Sequence, residues 1–181
     1  GTGTSDPMML ELISGLMSNG QAGLIDLDLM QQQKVLEAYA YSSEQADFSE
    51  FSMGGNPKQG QTLEEVRALL LQELDKLKQG QFEDWLLKAV VNNQRQQRIR
   101  YWNERNNMRA YALTDAFVLQ KDWKSVVDYY DRMAKITKAE VMAFAQARFK
   151  DNSITVYKRT GEDKNAFHVD KPKITPLEIN R

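Results

Sequence analysis

The side chains that could do chemistry are few in this sequence. Its 181 residues include one histidine, His168, and no cysteine. A hydrolytic zinc site needs about three protein ligands, most of them neutral imidazoles, so one histidine cannot build it. The lack of cysteine excludes disulfides and thiolate sites, and the serines have no histidine that could activate them. We therefore predict no catalytic, metal-ligating or cofactor-binding residue, and interpret His168 as an exposed or capping imidazole in a linker.

Two acidic pairs and one glycine-rich stretch also fall short of a site. Glu64/Glu65 and Glu83/Asp84 are adjacent residues, which point in different directions on a helix, so neither pair converges on one proton or ion. Acidic groups in the first turn of a helix offset its dipole, and this explains both pairs better. The stretch SMGGNPKQG, residues 52–60, lacks the spacing of a phosphate-binding loop and predicts a turn at a strand end.

A basic stretch over residues 92–109 is the local feature with the most binding content. Its arginines surround Tyr101 and Trp102; they are Arg95, Arg98, Arg100, Arg105 and Arg109. Basic residues among aromatics can bind single-stranded RNA. Against this, the arginines fall all round a helix, and 24 basic against 25 acidic residues give a net charge near zero. We expect no nucleic acid partner.

The methionines of the first thirty residues leave two interpretations. Met8, Met9, Met17 and Met30 could line an adaptable peptide groove, because thioethers are flexible and polarizable. Helical spacing favours burial in a core instead. No apolar run is long enough to cross a bilayer, and we expect no membrane partner.

Apolar spacing in the first half of the chain predicts a helix, a hairpin and a second helix. The first helix begins near Asp6 and presents one apolar face, with Gly20 placed to end it in a left-handed cap. Residues 34–42 and 47–55 are rich in aromatic and β-branched residues and predict an antiparallel hairpin. A capping box, Thr62 with Glu65, begins the next helix, which Gly80 ends.

The second half predicts further helices and a returning strand. Residues 82–119 form two helices with a break between Asn103 and Asn107, and another amphipathic helix begins after Asp122. A second capping box, Thr137 with Glu140, begins the last helix. The stretch SITVYKR, residues 153–159, predicts a strand. The fold class is therefore α+β, a two-layer domain over residues 1–160 with helices on one face of a mainly antiparallel sheet, and residues 161–181 form an extended linker tail.

Several stretches resemble the pitrilysin/insulinase family of zinc metallopeptidases, in the order that the family uses. They are LISGLMSNGQAGLIDLDLMQQQKVLEAYAY, RAYALTDAFVLQKDW, ITKAEVMAFAQARF, ITVYKRTGE and KPKITPLEINR. The resemblance implies repeated α+β domains that close around a peptide chamber, in which the catalytic copy binds zinc through H-x-x-E-H on its first helix. The equivalent helix here is PMMLELISGLM, which contains Glu11 but no histidine. We expect this copy to bind no catalytic zinc.

Some family domains without zinc contribute an arginine and, seven residues later, a tyrosine that contact substrate. Tyr39 and Tyr41 are the candidates for that tyrosine here, but Gln32 and Lys34 stand seven residues before them. Lysine lacks the planar bidentate fork of arginine. We expect this chain to lack that role too.

The resemblance gives a function for the chain as part of a larger protein. We expect a non-catalytic second domain that supports proteolysis by a separate H-x-x-E-H domain, with zinc only in that domain, and an inactive chain when alone. The expected partners are that catalytic domain and peptide substrate, in a bacterial cell envelope or periplasm. The chain begins after the strand that precedes the first helix in the family, and the open sheet edge predicts self-association. The alternatives are a stand-alone protein-interaction module and a single-stranded RNA binder.

Overall fold

The fold consists of helices and one β-hairpin. It is a computed structural model that describes residues 1–161 and 170–171. The helices of the described part are α1 (Asp6–Met17), α2 (Leu63–Lys78), α3 (Asp84–Glu104), α4 (Asn106–Val118), α5 (Trp123–Val127), α6 (Tyr129–Met133) and α7 (Lys138–Arg148). A π-helical turn, Asp26–Met30, follows α1. None of these helices is long and apolar enough to span a membrane.

The predicted hairpin is confirmed and gives the molecule its second layer. Strand β1 (Glu37–Glu44) pairs antiparallel with β2 (Ser49–Asn56), with Ala38 opposite Gly55 and Tyr39 opposite Gly54. Side chains alternate across a strand, so Ala38 is buried against the helices while Tyr39 and Tyr41 are exposed on the other face. The α+β class with helices on one face of the hairpin is therefore confirmed.

Helix α1 lies at the centre of the core. Its predicted apolar face is confirmed, since Leu12, Ile13, Leu16 and Met17 have no exposed surface. Met8 is buried in the same cluster, against which Met9 and Met30 pack. Burial of Met8 and Met17 agrees with the core interpretation of the methionines.

Local capping signals correctly predicted where α2 and α7 begin and where α2 ends. Thr62 and Thr137 each accept a hydrogen bond from the backbone N–H of a glutamate three residues on, and each glutamate bonds back to the threonine N–H. At the other end of α2, Gly80 has φ +69°, and its N–H donates to Leu77 O. This left-handed residue closes the helix, as predicted.

Helix α1 ends differently from the prediction. Gly20 is left-handed, with φ +80°, but the helix already ends at Met17. The side chain of Asp26 is buried and accepts hydrogen bonds from Asn19 N at 2.8 Å, Gly23 N at 3.0 Å and Ser18 Oγ at 3.2 Å. The Asp26 carboxylate therefore stabilises the turn after α1, together with Asn19 Oδ1, which accepts from Gln21 N and Ala22 N. The helix ends before the glycine cap that the sequence predicted.

The segment between Asn103 and Met133 follows the prediction in part. The break between α3 and α4 falls at Arg105, as expected. The single helix expected after Asp122 is instead α5 and α6, because Asp128 leaves helical geometry with φ −88° and ψ 13°. The hydroxyls of Tyr129 and Tyr130, just after this break, bond the same carboxylate, although adjacent residues of a regular helix point apart.

The predicted strand over residues 153–159 is wrong. Residues 152–159 form no regular structure, and Ile154 and Val156 are 93% and 86% exposed. Thr155 Oγ1 accepts from Arg67 Nε at 3.1 Å, so the segment lies against α2 without a strand beside it in the described part of the chain. Alternation alone cannot make a strand, because a strand also needs a partner for its backbone groups.

A partly buried ion cluster joins the π-helical turn to α2. Lys76 forms ion pairs with Asp28 and with Glu73, whose exposure is only 2%. Burial raises the pKa of Glu73, and Lys76 does not fully offset that effect. Burial also acts to raise the pKa of Asp28, but the hydrogen bond and charge of Lys76 outweigh it and the pKa is lowered.

Candidate functional site

A cleft with a volume of about 460 Å³ lies beside α1. Residues 2–5, α1, α3 and the segment from Gln120 to Arg132 contribute to its walls. Its charged and aromatic side chains include Glu11, Glu44, Arg98, Lys121, Tyr129 and Tyr130. Glu11 of the first helix and Arg98 of the basic stretch therefore lie in the same cleft.

Glu11 is held by two tyrosine hydroxyls at the floor of this cleft. Tyr129 Oη donates to Glu11 Oε2 at 2.7 Å, and Tyr130 Oη donates to Glu11 Oε1 at 3.1 Å. The two rings meet edge to face, with centroids 5.3 Å apart and planes at 90°. Both carboxylate oxygens are thus engaged, and the arrangement joins α1 to α6.

The two tyrosines act as hydrogen-bond donors here. Burial raises the pKa of Tyr129, and the charge of Glu11 and its hydrogen bond raise it further. Burial and Glu11 raise the pKa of Tyr130 in the same way, while the nearby Arg98 acts in the opposite direction. Neither hydroxyl therefore ionises near neutral pH, so neither can serve as a phenolate base or nucleophile.

Arg98 lies against aromatic rings at the same cleft. Its Cζ is 4.4 Å from the ring centroid of Trp102, 5.3 Å from that of Tyr130 and 5.8 Å from that of Tyr129. Trp102 in turn stacks on Trp123, with centroids 6.3 Å apart and planes at 13°. These cation–π contacts restrict the position of the guanidinium.

The other arginines of the basic stretch do not share one surface. Arg95 pairs with Asp131, and Arg109 donates to Trp102 O at 3.0 Å. Arg100 and Arg105 are exposed. Some of these arginine side chains therefore contact other residues of the chain and others face solvent. This agrees with the prediction that they form no single stripe.

Ion pairs surround the mouth of the cleft. Lys121 pairs with Glu44 and so connects the segment after α4 to the end of β1. Arg132 Nε lies 3.4 Å from Asp128 Oδ1, and Arg132 Nη2 donates to Ser125 O at 2.8 Å. The charges of Lys121 and Arg132 are thus matched within the chain.

The acidic pairs lie where the sequence placed them. Glu64 and Glu65 are in the first turn of α2, and Glu65 belongs to the capping box. Asp84 opens α3 and pairs with Lys138 at 2.9 Å, while Glu83 is the residue before that helix. Among residues 1–161 and 170–171, no group of three or more His, Asp or Glu side chains is arranged to hold a metal ion.

The remaining candidates lie apart from the cleft lining. Tyr39 and Tyr41 stack on each other with centroids 6.2 Å apart on the exposed face of β1. Gln32 is exposed, and Lys34 is half-buried. His168 lies outside the described residues, as does most of the predicted linker tail.

Sequence reasoning missed Tyr129 and Tyr130. These tyrosines bond Glu11 across separations of 118 and 119 residues, which no local pattern encodes. The usable signal was the adjacent pair of tyrosines in a short amphipathic segment rich in charge. It could indicate a buried polar contact, but not which residue accepts it.

The α+β fold of this chain is similar to the folds of solved peptidase structures. Two solved structures share it. The first is a protease from Helicobacter pylori, with a TM-score of 0.70 and 21% identity over 83% of this chain. The second is described as the inactive peptidase domain of a proposed zinc protease from Bordetella parapertussis, with a TM-score of 0.68 and 17% identity over 80% of this chain.

The two structures differ in how much of them this chain covers. It spans 36% of the Helicobacter protease and 78% of the Bordetella domain. No family model matches the sequence, and no curated protein matches it. At these identities the likeness establishes the fold alone.

Proposed function

We propose that this chain is a non-catalytic domain of a zinc-dependent peptidase of the pitrilysin/insulinase type. Its role is to complete a peptide-binding chamber and to support cleavage by a separate H-x-x-E-H domain of the same polypeptide, where the zinc is bound. The fold it shares with a protease and with an inactive peptidase domain supports this proposal. Peptide substrate and the catalytic domain are its partners, and a bacterial cell envelope is the proposed location.

The state of Glu11 is the observation that carries the proposal. By the resemblance, α1 corresponds to the helix that bears the zinc ligands in the catalytic copy. In this chain the acidic group of that helix has both oxygens occupied by tyrosine hydroxyls. A carboxylate that accepts two such bonds, at 2.7 and 3.1 Å, joins two helices, and its helix carries no histidine that could hold a zinc ion beside it.

The test measures zinc content together with cleavage of a mixed fluorogenic peptide library, with added zinc and with a chelator. We expect no bound zinc and no cleavage by this chain alone, and increased cleavage when it is mixed with the H-x-x-E-H domain. Stoichiometric zinc with chelator-sensitive cleavage by this chain alone would overturn the proposal. A lack of any effect on the H-x-x-E-H domain would contradict the supporting role.

The Glu11→Gln variant tests whether the Glu11 carboxylate has a structural role or a catalytic one. Glutamine keeps one acceptor and loses the charge, so we expect a loss of about 1–2 kcal/mol in the free energy of unfolding. Cleavage by the mixture with the H-x-x-E-H domain is expected to stay unchanged at a temperature where the variant is folded. Full stability with abolished cleavage would mean that Glu11 takes part in the chemistry.

A stand-alone protein-interaction module is the second candidate, and the surface of α4 favours it. Phe117 is 84% exposed and Val118 65% exposed, while Leu113 on the same helix is also exposed. Large apolar side chains in contact with water mark interaction surfaces. An H-x-x-E-H sequence upstream in the same reading frame would favour the peptidase domain, and its lack would favour the module.

A further inference from the structure

We propose that Arg98 binds a carboxylate group of a peptide in the cleft above Glu11. The inference rests on the proposed function, because it names the chemical group that the chamber recognises on this wall. A terminal carboxylate and an acidic side chain share this chemistry. The experiment below distinguishes these two sources.

The charge of Arg98 has no counter-ion within the described chain. Its side chain is half-buried, yet no carboxylate oxygen of the described residues lies within salt-bridge distance of it. The other cations around the cleft are paired, Lys121 with Glu44 and Arg132 with Asp128. A partly desolvated charge is costly without a partner, so the cleft is suited to an incoming anion.

The neighbours of Arg98 fix the direction from which an anion can approach. The Cζ of Arg98 lies over the Trp102 ring, 4.4 Å from its centroid, and 5.3 Å from the centroid of the Tyr130 ring. These rings restrict the position of the Arg98 side chain, and any guanidinium carries its N–H donors along the edge of its plane. A fixed fork of parallel donors matches the two oxygens of a carboxylate.

The acidic residues of the cleft favour a carboxylate over a phosphate. Glu11, Glu44 and Asp122 line the same cleft and would repel a doubly charged group more strongly than a singly charged one. The volume of about 460 Å³ falls within the range of sites that hold small ligands, roughly 300–1,000 Å³. One or two residues of a peptide fit such a space.

Tryptophan fluorescence gives a direct readout of the site. The chain has three tryptophans, and Trp85→Phe leaves Trp102 and Trp123, which stack beside Arg98. In this background three probes are titrated: trialanine with a free carboxylate, amidated trialanine, and acetyl-Ala-Glu-Ala-amide. Arg98→Ala and Arg98→Lys are compared with Arg100→Ala, which removes an exposed arginine of the same helix.

We expect saturable fluorescence changes with carboxylate probes and none with amidated trialanine. Arg98→Ala is expected to weaken binding at least about tenfold, as for a lost hydrogen bond to a charged group, and Arg100→Ala to leave it unchanged. Binding of only the free trialanine assigns a terminal carboxylate. Binding of only the glutamate probe assigns an acidic side chain.

Equal binding of amidated trialanine, equal affinity in the Arg98 variants, or no binding of any probe would overturn the inference. Thermal unfolding checks that each variant is folded, and Arg98→Lys decides the matter if Arg98→Ala does not fold. Lysine keeps the charge without the fork, so we expect it to weaken binding as well. Increased cleavage by the H-x-x-E-H domain tests the proposed function separately, since it can hold when no probe binds.

Discussion

Asp26 is predicted to be the most sensitive polar residue of the α1 turn. Its carboxylate is 6% exposed and accepts hydrogen bonds from Asn19 N, Gly23 N and Ser18 Oγ at 2.8 to 3.2 Å. Asp26→Ala leaves these donors without their acceptor in a largely dry site. Each bond to a charged group contributes about 1.5–3 kcal/mol, and the bonds are not additive, so we expect a loss of about 3–5 kcal/mol.

Urea unfolding followed by circular dichroism measures this loss. With a slope of about 2 kcal/mol per molar urea, the midpoint should fall by about 2 M. Asp26→Asn keeps one acceptor and is expected to fall between the wild type and Asp26→Ala. Asp47→Ala, in the exposed hairpin turn, is the control and should change stability by less than about 0.5 kcal/mol. An equally small change for Asp26→Ala would refute the view that this carboxylate organises the turn.

Three further predictions follow from packing, charge and exposure. Gly15→Ala places a Cβ 2.5 Å from Val90 Cγ1, so the free energy of unfolding in urea should fall by about 1–3 kcal/mol. An unchanged midpoint would mean that α1 and α3 lie further apart than described. The pKa of Glu73 in the folded state is raised above its ordinary 4.5, so its contribution to the free energy of unfolding is complete below that pH and is lost as the pH rises. Glu73→Gln should therefore make the free energy of unfolding fall less steeply with pH. Equal pH dependence in the wild type and the variant would contradict the raised pKa. We also expect self-association in sedimentation at high concentration, through the exposed apolar side chains of Ile154 and Val156, which form no strand. Ile154→Lys with Val156→Lys should abolish it, and a monomeric wild type would contradict the prediction.

Local signals predicted the helix boundaries well because their partners lie within one turn of the chain. Thr62 and Thr137 bond residues three positions away, and the Gly80 cap closes on Leu77. The sequence alone could not place Ile154, because its alternation with Val156 predicts a strand only if another strand lies beside it. Whether a neighbour exists is a property of the fold, not of the segment.

The predicted end of α1 was wrong for a related reason. Gly20 has the left-handed conformation that a glycine cap requires, so the conformational preference was predicted correctly. The helix ends earlier, at Met17, and Asp26, eight residues after Ser18, accepts hydrogen bonds from Ser18 Oγ and Asn19 N in the turn that follows. A competing acceptor at that distance is visible in the sequence only as one aspartate among several.

The candidate site shows the same division between local and long-range information. Glu11 and Arg98 each stand out in the sequence, one on the first helix and one in the basic stretch, yet nothing local relates them. Tyr130 connects them in the fold, because its hydroxyl donates to Glu11 and its ring centroid lies 5.3 Å from Arg98 Cζ. Glu11 thereby accepts hydrogen bonds from two hydroxyls, while Arg98 forms no ion pair with a carboxylate of the described residues. This arrangement gives Glu11 a structural role, and it is the arrangement on which the proposed binding of a carboxylate group by Arg98 rests.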